Sequence, residues 1–240
     1  LNQAIADAFV VFEMRAFPDD VLALADRQIE FLEDFFGKVF AARRQNPQDD
    51  LATGLVNARD ETGPLSDHEM ATVAIGLFGA GFETTAHMIG NGLLALHSYP
   101  DQWAKLVANP ALAASATEEI LRYESSLIGS NRTAFRDVVL GGKTIKAGER
   151  ILTLLAAGNR DPAVFEDPDR FDIERKGPRH LSFGGGIHFC VGAELARLEG
   201  EIALTTLASR FPSLKVDISS ARWRQEGFMF RGLTDLKASW

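Results

Sequence analysis

The single cysteine of the 240-residue chain, Cys190, lies in the stretch most able to do chemistry. Three consecutive glycines, Gly184–Gly186, and His188 precede it, and Gly192 follows it. An amphipathic run rich in Ala, Leu and Glu begins near Val191, which predicts a helix. A thiolate just before a helix is favoured by the positive end of the helix dipole and by free backbone N–H groups. The glycines would let the backbone pass close to whatever the sulfur binds.

Two other interpretations of Cys190 follow from the residues. A lone cysteine is most often a small buried hydrophobe, but a buried cysteine does not need three glycines and a histidine immediately before it. A thiol nucleophile paired with His188 is the second alternative. No Asn or Asp that could orient His188 is evident beside it in the sequence.

The stretch has the spacing Phe-Gly-x-Gly-x-His-x-Cys-x-Gly, followed by Leu-Ala-Arg. This pattern closely resembles the haem-binding loop of the cytochrome P-450 family, the haem-thiolate monooxygenases. The resemblance implies haem b (iron protoporphyrin IX) as cofactor, with Cys190 as the axial ligand whose anionic sulfur favours O–O cleavage. His188 would take the position from which a basic residue contacts a haem propionate. The implied cofactor-binding residues of this loop are Phe183, Gly184, His188, Cys190 and Gly192.

A second unusual segment is the middle of a long predicted helix. Ser66-Asp-His-Glu69 is a capping box, and the helix that it opens is predicted to run to about His97. Gly76, Gly79 and Gly81 fall within six residues of that helix, and each costs about 1 kcal/mol relative to alanine. A helix that only packs in a core would not be expected to have three such destabilising residues so close together.

The same segment reads Ala-Gly-Phe-Glu-Thr-Thr and resembles the central helix of the family, which has Ala/Gly-Gly-x-acid-Thr over the distal haem face. The resemblance implies that Ala80 and Gly81 bind the cofactor. It also implies that Thr84 is the alcohol on the oxygen side, where its hydroxyl holds water or dioxygen, and that Glu83 is the acid that feeds protons to it. From the residues alone, a surface glutamate beside threonines bonded to the preceding turn is the alternative.

A third motif is an acid–base pair. Glu119 and Arg122 are three residues apart, and so are neighbours on a helix that is predicted to begin at Asn109-Pro110. Such pairs are common, and alone they indicate no site. Beside the other motifs this pair resembles the family's Glu-x-x-Arg, which an arginine from a Pro-x-Arg-Phe segment completes, here Arg170. The implied triad is structural and not catalytic.

A β-rich region lies between these motifs, with a hairpin predicted over 138–145 and a third strand over 151–155. Arg132, just before this region, resembles the family arginine that pairs with a haem propionate. By the same resemblance, residues 127–130 and 227–230 line the substrate side.

The first third of the chain carries no chemistry that can be read. The sequence opens inside an amphipathic pattern over 1–17 that has no polar cap in front of it. A helix is predicted over 21–44, a short helix starts at Asp49 and Asp50, and residues 60–64 are predicted to be a polar loop.

Composition narrows the class of protein. The chain is 46% hydrophobic and 24% charged, as in ordinary soluble globular proteins. Its net charge of −8 argues against nucleic acid or an anionic membrane surface as a partner. One cysteine excludes an internal disulfide and suits a reducing cytosol, which predicts a cytoplasmic protein. The longest uncharged run, residues 70–82, is too short to span a membrane, and no signal peptide is visible.

These observations together predict a mainly α fold with small β-sheet elements, a partial cytochrome P-450 fold. We expect a single haem-binding domain over residues 1–240, the C-terminal portion of a longer chain, because the family's N-terminal part has no counterpart here. The resemblance to soluble bacterial members implies insertion of one atom of O₂ into a hydrophobic small molecule, by hydroxylation or epoxidation. Electrons would come from a ferredoxin or a flavoprotein reductase.

The alternative to a catalyst is a haem-binding module, whether sensor, carrier or inactive fragment. Such a module would share the cysteine loop but would not need Glu83 and Thr84.

Overall fold

A computed structural model describes residues 1–10, 16–60, 63–225 and 229–240. The described α-helices are α1 (Asn2–Phe9), α2 (Asp19–Gln45), α3 (Leu51–Asn57), α4 (Asp67–Ser98), α5 (Pro100–Ala108), α6 (Ala113–Tyr123), α7 (Leu155–Gly158) and α8 (Ala193–Arg210). The described strands are β1 (Arg59–Asp60), β2 (Gly63–Pro64), β3 (Ser130–Thr133), β4 (Val138–Leu140), β5 (Lys143–Ile145), β6 (Arg150–Thr153), β7 (Lys215–Val216), β8 (Arg222–Trp223), β9 (Leu233–Asp235) and β10 (Ala238–Ser239). The prediction of a mainly α fold with small β elements is confirmed. Over the described residues, no helix combines the length and the apolar character that crossing a bilayer requires.

The chain divides into two compact units, Leu1–Glu83 and Thr84–Trp240, and the boundary falls within α4. The first unit has a core of α1, α2 and the first part of α4, in which Ile5, Leu32 and Ile75 are buried. The core of the second unit joins the rest of α4 to α5, α6 and α8. Its buried side chains include Leu96, Leu106, Ile120, Phe171 and Leu204. A single haem-binding domain over the whole chain stays a prediction.

The capping box predicted at the start of α4 is confirmed. The Ser66 N–H donates to Glu69 Oε2 (2.7 Å), and the Glu69 N–H donates to Ser66 Oγ (3.2 Å), so two backbone donors that the helix leaves free are satisfied. The helix ends at Ser98, one residue beyond the predicted end. Its 32 residues correspond to about 48 Å.

Of the three glycines in the middle of α4, one is explained by packing within the first unit. A Cβ on Gly79 would lie 2.2 Å from the ring of Phe9, so only glycine leaves room for that ring. At Gly76 and Gly81, a Cβ would meet no described atom within 4 Å.

The short helix predicted after the aspartate pair is confirmed as α3, where the Asp50 carboxylate accepts from the Thr53 N–H (2.9 Å) at the N-cap. The long helix predicted over 21–44 is confirmed as α2. The prediction of a loop over 60–64 is wrong for its described part, because β1 and β2 pair there as an antiparallel ladder with Arg59 opposite Pro64.

The hairpin predicted over 138–145 is confirmed as β4–β5, with Gly141 and Gly142 at φ of 56° and 75° in the turn. The third strand, β6, pairs with β3 and not with the hairpin. Arg132 therefore lies within a strand, opposite Ile151, and not before the sheet as predicted. The Ser-Asn-Arg-Thr sequence of β3 lacks the apolar alternation that would have revealed it.

Candidate cofactor site

The loop before α8 folds back on itself and holds Cys190 at one end. The Cys190 N–H donates to Phe183 O (2.9 Å), and the Phe189 N–H donates to Gly186 O (3.1 Å). Gly184 and Gly186 have φ of 68° and 65°, a left-handed conformation that favours glycine. These backbone hydrogen bonds and glycine conformations together fix the position of Cys190 in the loop.

The Cys190 thiol is free and exposed, so the interpretation of a buried hydrophobe is wrong. Helix α8 begins three residues later at Ala193, with Gly192 at the N-cap. A Cβ on Gly192 would lie 3.9 Å from Cys190 Sγ, so a side chain there would touch the sulfur. The prediction of a helix starting just after the cysteine is confirmed, and the sulfur lies near its positive end.

The surroundings of the sulfur fit a large apolar group. Ile187, Phe189 and Val191, which flank Cys190 in the loop, have exposed fractions of 97%, 49% and 86%. Apolar side chains of this size gathered beside a free thiol mark a surface that a hydrophobic ligand or partner covers. The residues present therefore fit a haem group bound through the cysteine.

The small residues in the middle of α4 leave that part of the helix surface open. Ala80 and Gly81 are both exposed. A glycine within a helix costs about 1 kcal/mol relative to alanine, and no described atom fills the space of a Cβ at Gly81. Packing among the described residues therefore gives no reason for this glycine, whereas a flat ligand passing close to the helix would.

The two threonines that follow Glu83 have different surroundings. Glu83, Thr84 and Thr85 are all half-buried. The Thr85 hydroxyl donates to Glu199 Oε2 of α8 (3.0 Å). Consecutive helical residues point about 100° apart, so Thr84 does not share the direction that leads to Glu199.

Phe183 is the buried residue on which the loop rests. Its ring packs at 6.3 Å from the Phe189 ring and 5.5 Å from the His180 ring, measured between centroids. The guanidinium of Arg197 lies over the same ring, 4.7 Å from its centroid, a cation–π contact. Phe183 thus links the cysteine loop to α8.

Sequence reasoning missed a charged cluster behind this loop. The Arg197 side chain donates to Glu118 Oε1 (2.7 Å) and Glu194 Oε1 (2.7 Å). The buried His180 ring approaches Glu118 Oε2 at 3.4 Å. The contact with His180 first, and then the bond from Arg197, lower the pKa of Glu118 to about 2. The Glu-x-x-Arg spacing of residues 194 and 197 was the one sequence signal for this cluster.

Glu119 and Arg122 form a buried ion pair with two bonds, of 2.7 and 2.8 Å. Arg122 donates in addition to the carbonyls of Asn159 (3.0 Å), Pro168 (2.8 Å) and Arg170 (3.1 Å). All five N–H donors of the guanidinium therefore have an acceptor. Full satisfaction is what allows such a charge to lie in the interior.

The prediction that the Arg170 side chain completes this pair is wrong. That side chain is 61% exposed and lies 3.4 Å from Asp172, and Arg170 contributes only its carbonyl. Arg175 takes the predicted place, because its Nε donates to Glu119 Oε1 (3.2 Å) from a side chain that is 15% exposed. Both arginines belong to one segment, and the spacing did not reveal which of them is buried.

The two predicted propionate ligands are both accessible. The half-exposed Arg132 donates to Ser130 Oγ (2.6 Å) and to Asn131 O (2.7 Å). His188 is exposed at the end of a short 3₁₀ turn. In the part of the chain that the structure describes, no hydrogen bond joins His188 to Cys190.

The two segments predicted to line the substrate side meet where both are described. Leu127 pairs with Phe230 in an isolated β-bridge, and the Ile128 N–H donates to Met229 O (2.8 Å). Gly227 and Phe228, also predicted to be there, lie outside the described residues.

A mostly helical chain with a free thiol in a glycine loop at the start of a helix has the arrangement of a haem-thiolate protein. The family described as "Cytochrome P450" matches residues 1–230, and the chain therefore belongs to the cytochrome P450 family. Members of this family are haem-binding monooxygenases, so the predicted family and its cofactor, haem b, are confirmed.

Particular relatives are bacterial. The chain is 40% identical over 219 residues to "Polyketide biosynthesis cytochrome P450 PksS" of Bacillus subtilis, covering 90% of this chain and 54% of that protein. It is 40% identical over 210 residues to "Mycinamicin IV hydroxylase/epoxidase" of Micromonospora griseorubida, covering 86% and 53%.

A solved structure of P450BioI in complex with an acyl carrier protein ligated to hexadec-9Z-enoic acid matches with a TM-score of 0.90 at 37% identity, covering all of this chain and 61% of that one. The chain spans about half the length of the curated relatives that it matches.

Proposed function

We propose that this chain forms the haem-holding part of a cytochrome P450 monooxygenase in which the Cys190 thiolate ligates the haem iron. The observation that carries the proposal is the exposed Cys190 thiol, held by a self-bonded glycine loop just before α8. When bound, the haem group supplies the redox chemistry that activates dioxygen. The residues of the chain bind the group, orient it and deliver protons.

The loop residues Phe183, Gly184 and Gly192 hold the sulfur in position and leave the backbone free to approach it. Arg132 and His188 supply cationic or hydrogen-bonding groups for the two propionates. Both side chains are accessible, which supports this role.

On α4, Ala80 and Gly81 give the cofactor close access to the helix. With the cofactor in place, the Thr84 hydroxyl would hydrogen-bond a water molecule or dioxygen, and Glu83 would pass protons towards it. The Thr85 hydroxyl is bonded to Glu199 of α8, so Thr85 is assigned a structural role and not this one.

The substrate is proposed to be a hydrophobic organic molecule, hydroxylated or epoxidised with electrons from a ferredoxin or flavoprotein reductase. The names of the relatives support this class, since one is a hydroxylase/epoxidase and another belongs to polyketide biosynthesis. A haem-binding module without catalysis is the second candidate, because the cysteine loop alone would serve such a module.

The test of the central proposal is the carbon monoxide difference spectrum of the reduced, haem-loaded protein. Thiolate ligation predicts a Soret band moved strongly to the red. The band is expected to be lost in Cys190→Ser and kept in His188→Ala, which separates haem ligation from a Cys–His nucleophile. A wild-type spectrum without the red-shifted band would contradict the proposal.

Measurement of substrate-dependent turnover distinguishes the monooxygenase from a haem-binding module without catalysis. Product formation with a reconstituted electron donor supports the monooxygenase. A haem-loaded protein that binds carbon monoxide through a thiolate-ligated iron, but oxidises none of a panel of fatty acids, terpenes and macrolides, supports the module.

A further inference from the structure

Asn159, which follows α7, has a polar side chain that is completely buried, with an exposed fraction of 0%. Its Oδ1 accepts from the Leu181 N–H (2.6 Å), and its Nδ2 donates to Ser182 Oγ (2.8 Å). Both ends of the amide are therefore used by the chain that leads into the cysteine loop. An interior amide is tolerated only when it is hydrogen-bonded in this way.

The Ser182 hydroxyl continues the connection to α6. It accepts from Asn159 and donates to Leu121 O (2.6 Å), so its single proton has a fixed direction. Leu121 immediately precedes Arg122, which in turn donates to Asn159 O (3.0 Å). The start of the loop is thus tied to the buried ion pair by the side chains of Asn159, Ser182 and Arg122, whose hydrogen bonds close a ring through the backbone of Leu121 and Arg122.

This anchored segment carries the carbonyls that shape the loop around the cysteine. Leu181 O accepts from the Gly184 N–H (2.7 Å), and Phe183 O accepts from the Cys190 N–H (2.9 Å). A displacement of the segment would therefore move the backbone of Cys190 itself.

We propose that Asn159 and Ser182 are positioning residues that keep Cys190 Sγ where it ligates the haem iron. The inference rests on the proposed ligation by Cys190. Asn159 and Ser182 do not contact the iron; they act by holding the loop that carries the sulfur. Removal of the Ser182 hydroxyl leaves the Asn159 Nδ2 donor and the Leu121 carbonyl without a bond, and the loop relaxes to recover them.

The experiment compares Ser182→Ala with Ser182→Thr, which keeps the hydroxyl, and with the matched control Ser115→Ala. Ser115 is also half-buried and donates to a backbone carbonyl, Leu112 O (3.0 Å), but lies at the start of α6 away from the loop. For each haem-loaded protein, the rate at which the red-shifted, thiolate-type carbon monoxide band converts to the band of a complex without thiolate is measured in mild urea. The unfolding transition is followed in parallel by circular dichroism.

Ser182→Ala is expected to convert at least roughly tenfold faster than wild type, because one unmade buried hydrogen bond corresponds to about that factor and this variant loses two. Conversion should precede the loss of helical signal. Ser182→Thr and Ser115→Ala should behave like wild type. Asn159→Ala also loses two bonds, to the Leu181 N–H and to Ser182 Oγ, and should convert about as fast as Ser182→Ala.

Two results would overturn the inference. One is a conversion rate of Ser182→Ala equal to that of wild type. The other is conversion that coincides with unfolding in Ser182→Ala and is matched by Ser115→Ala, which would reduce the network to a general structural role. A wild-type protein without the thiolate-type band would instead contradict the ligation by Cys190.

Discussion

The Thr85 hydroxyl donates to Glu199 Oε2 at 3.0 Å and so bonds α4 to α8. The side chain of Thr84, the preceding residue, points about 100° away from that of Thr85 around the helix axis. Two adjacent threonines of one motif are thus divided between a helix–helix contact and the proposed oxygen side of the cofactor.

Replacement of each threonine should therefore have a different effect. Thr84→Ala is expected to lower the product formed per electron pair consumed several-fold, because the proposed hydroxyl for oxygen and proton handling is lost. Thr85→Val should preserve that yield and lower the free energy of unfolding by about 1 kcal/mol. Product yield, peroxide release and urea unfolding are the measurements. Equal yields in Thr84→Ala and wild type would remove Thr84 from the proposed mechanism.

Arg175 and Arg170 offer a matched pair for the buried carboxylate of Glu119. Arg175→Gln should lower the free energy of unfolding by about 1–3 kcal/mol, because it leaves a buried acceptor one charged partner short. Arg170→Gln should change it by less than about 0.5 kcal/mol, as expected of an exposed side chain. Urea titration of both variants checks this. A larger effect at Arg170 would restore the assignment made from the spacing.

The lowered pKa of Glu118 predicts an acid dependence of stability. The pKa falls from 4.5 to about 2 on folding, so the stabilisation is fully present above the unfolded value and is lost as the pH falls through this window. Glu118→Gln should therefore show a shallower loss of stability than wild type between these pH values. The measurement is the urea midpoint at several pH values across the window. Identical slopes for the two proteins would refute the assignment.

Alanine at Gly81 should increase stability and weaken cofactor binding. A Cβ there meets no described atom within 4 Å, and the change from glycine to alanine in a helix contributes about 1 kcal/mol. The same group would obstruct a macrocycle that lies against the helix. Gly76→Ala, on the same helix and equally open, is the control and should stabilise without changing haem affinity. Thermal unfolding of the haem-free protein and haem titration separate the two effects.

The helices and the cysteine loop could be predicted from sequence because their signals are local. The capping box needs only Ser66 and Glu69 at the right spacing, and both bonds form. The turn of the β4–β5 hairpin needs only Gly141 and Gly142, and both have positive φ. In each case the physical cause lies within a few residues of the structure that it produces.

What the sequence could not reveal depends on contacts between distant segments. Strand β3 is polar and exists because β6 pairs with it across more than 15 residues. The choice of Arg175 over Arg170 depends on which side chain faces the interior, which spacing does not encode. Asn159 has no motif of its own, and its importance follows from complete burial and from its bonds to the loop.

The five filled donors of Arg122 connect the two residues Glu119 and Asn159 with the Pro168–Arg170 segment. None of these segments can open alone without exposing the interior charge or leaving it unmatched. Their backbone amides should therefore exchange with deuterated solvent only when the whole second unit unfolds, and at one common rate. The segments bonded to Arg122 therefore form one cooperative unit. A substitution that breaks any one of these hydrogen bonds should make the opening of all of these segments easier.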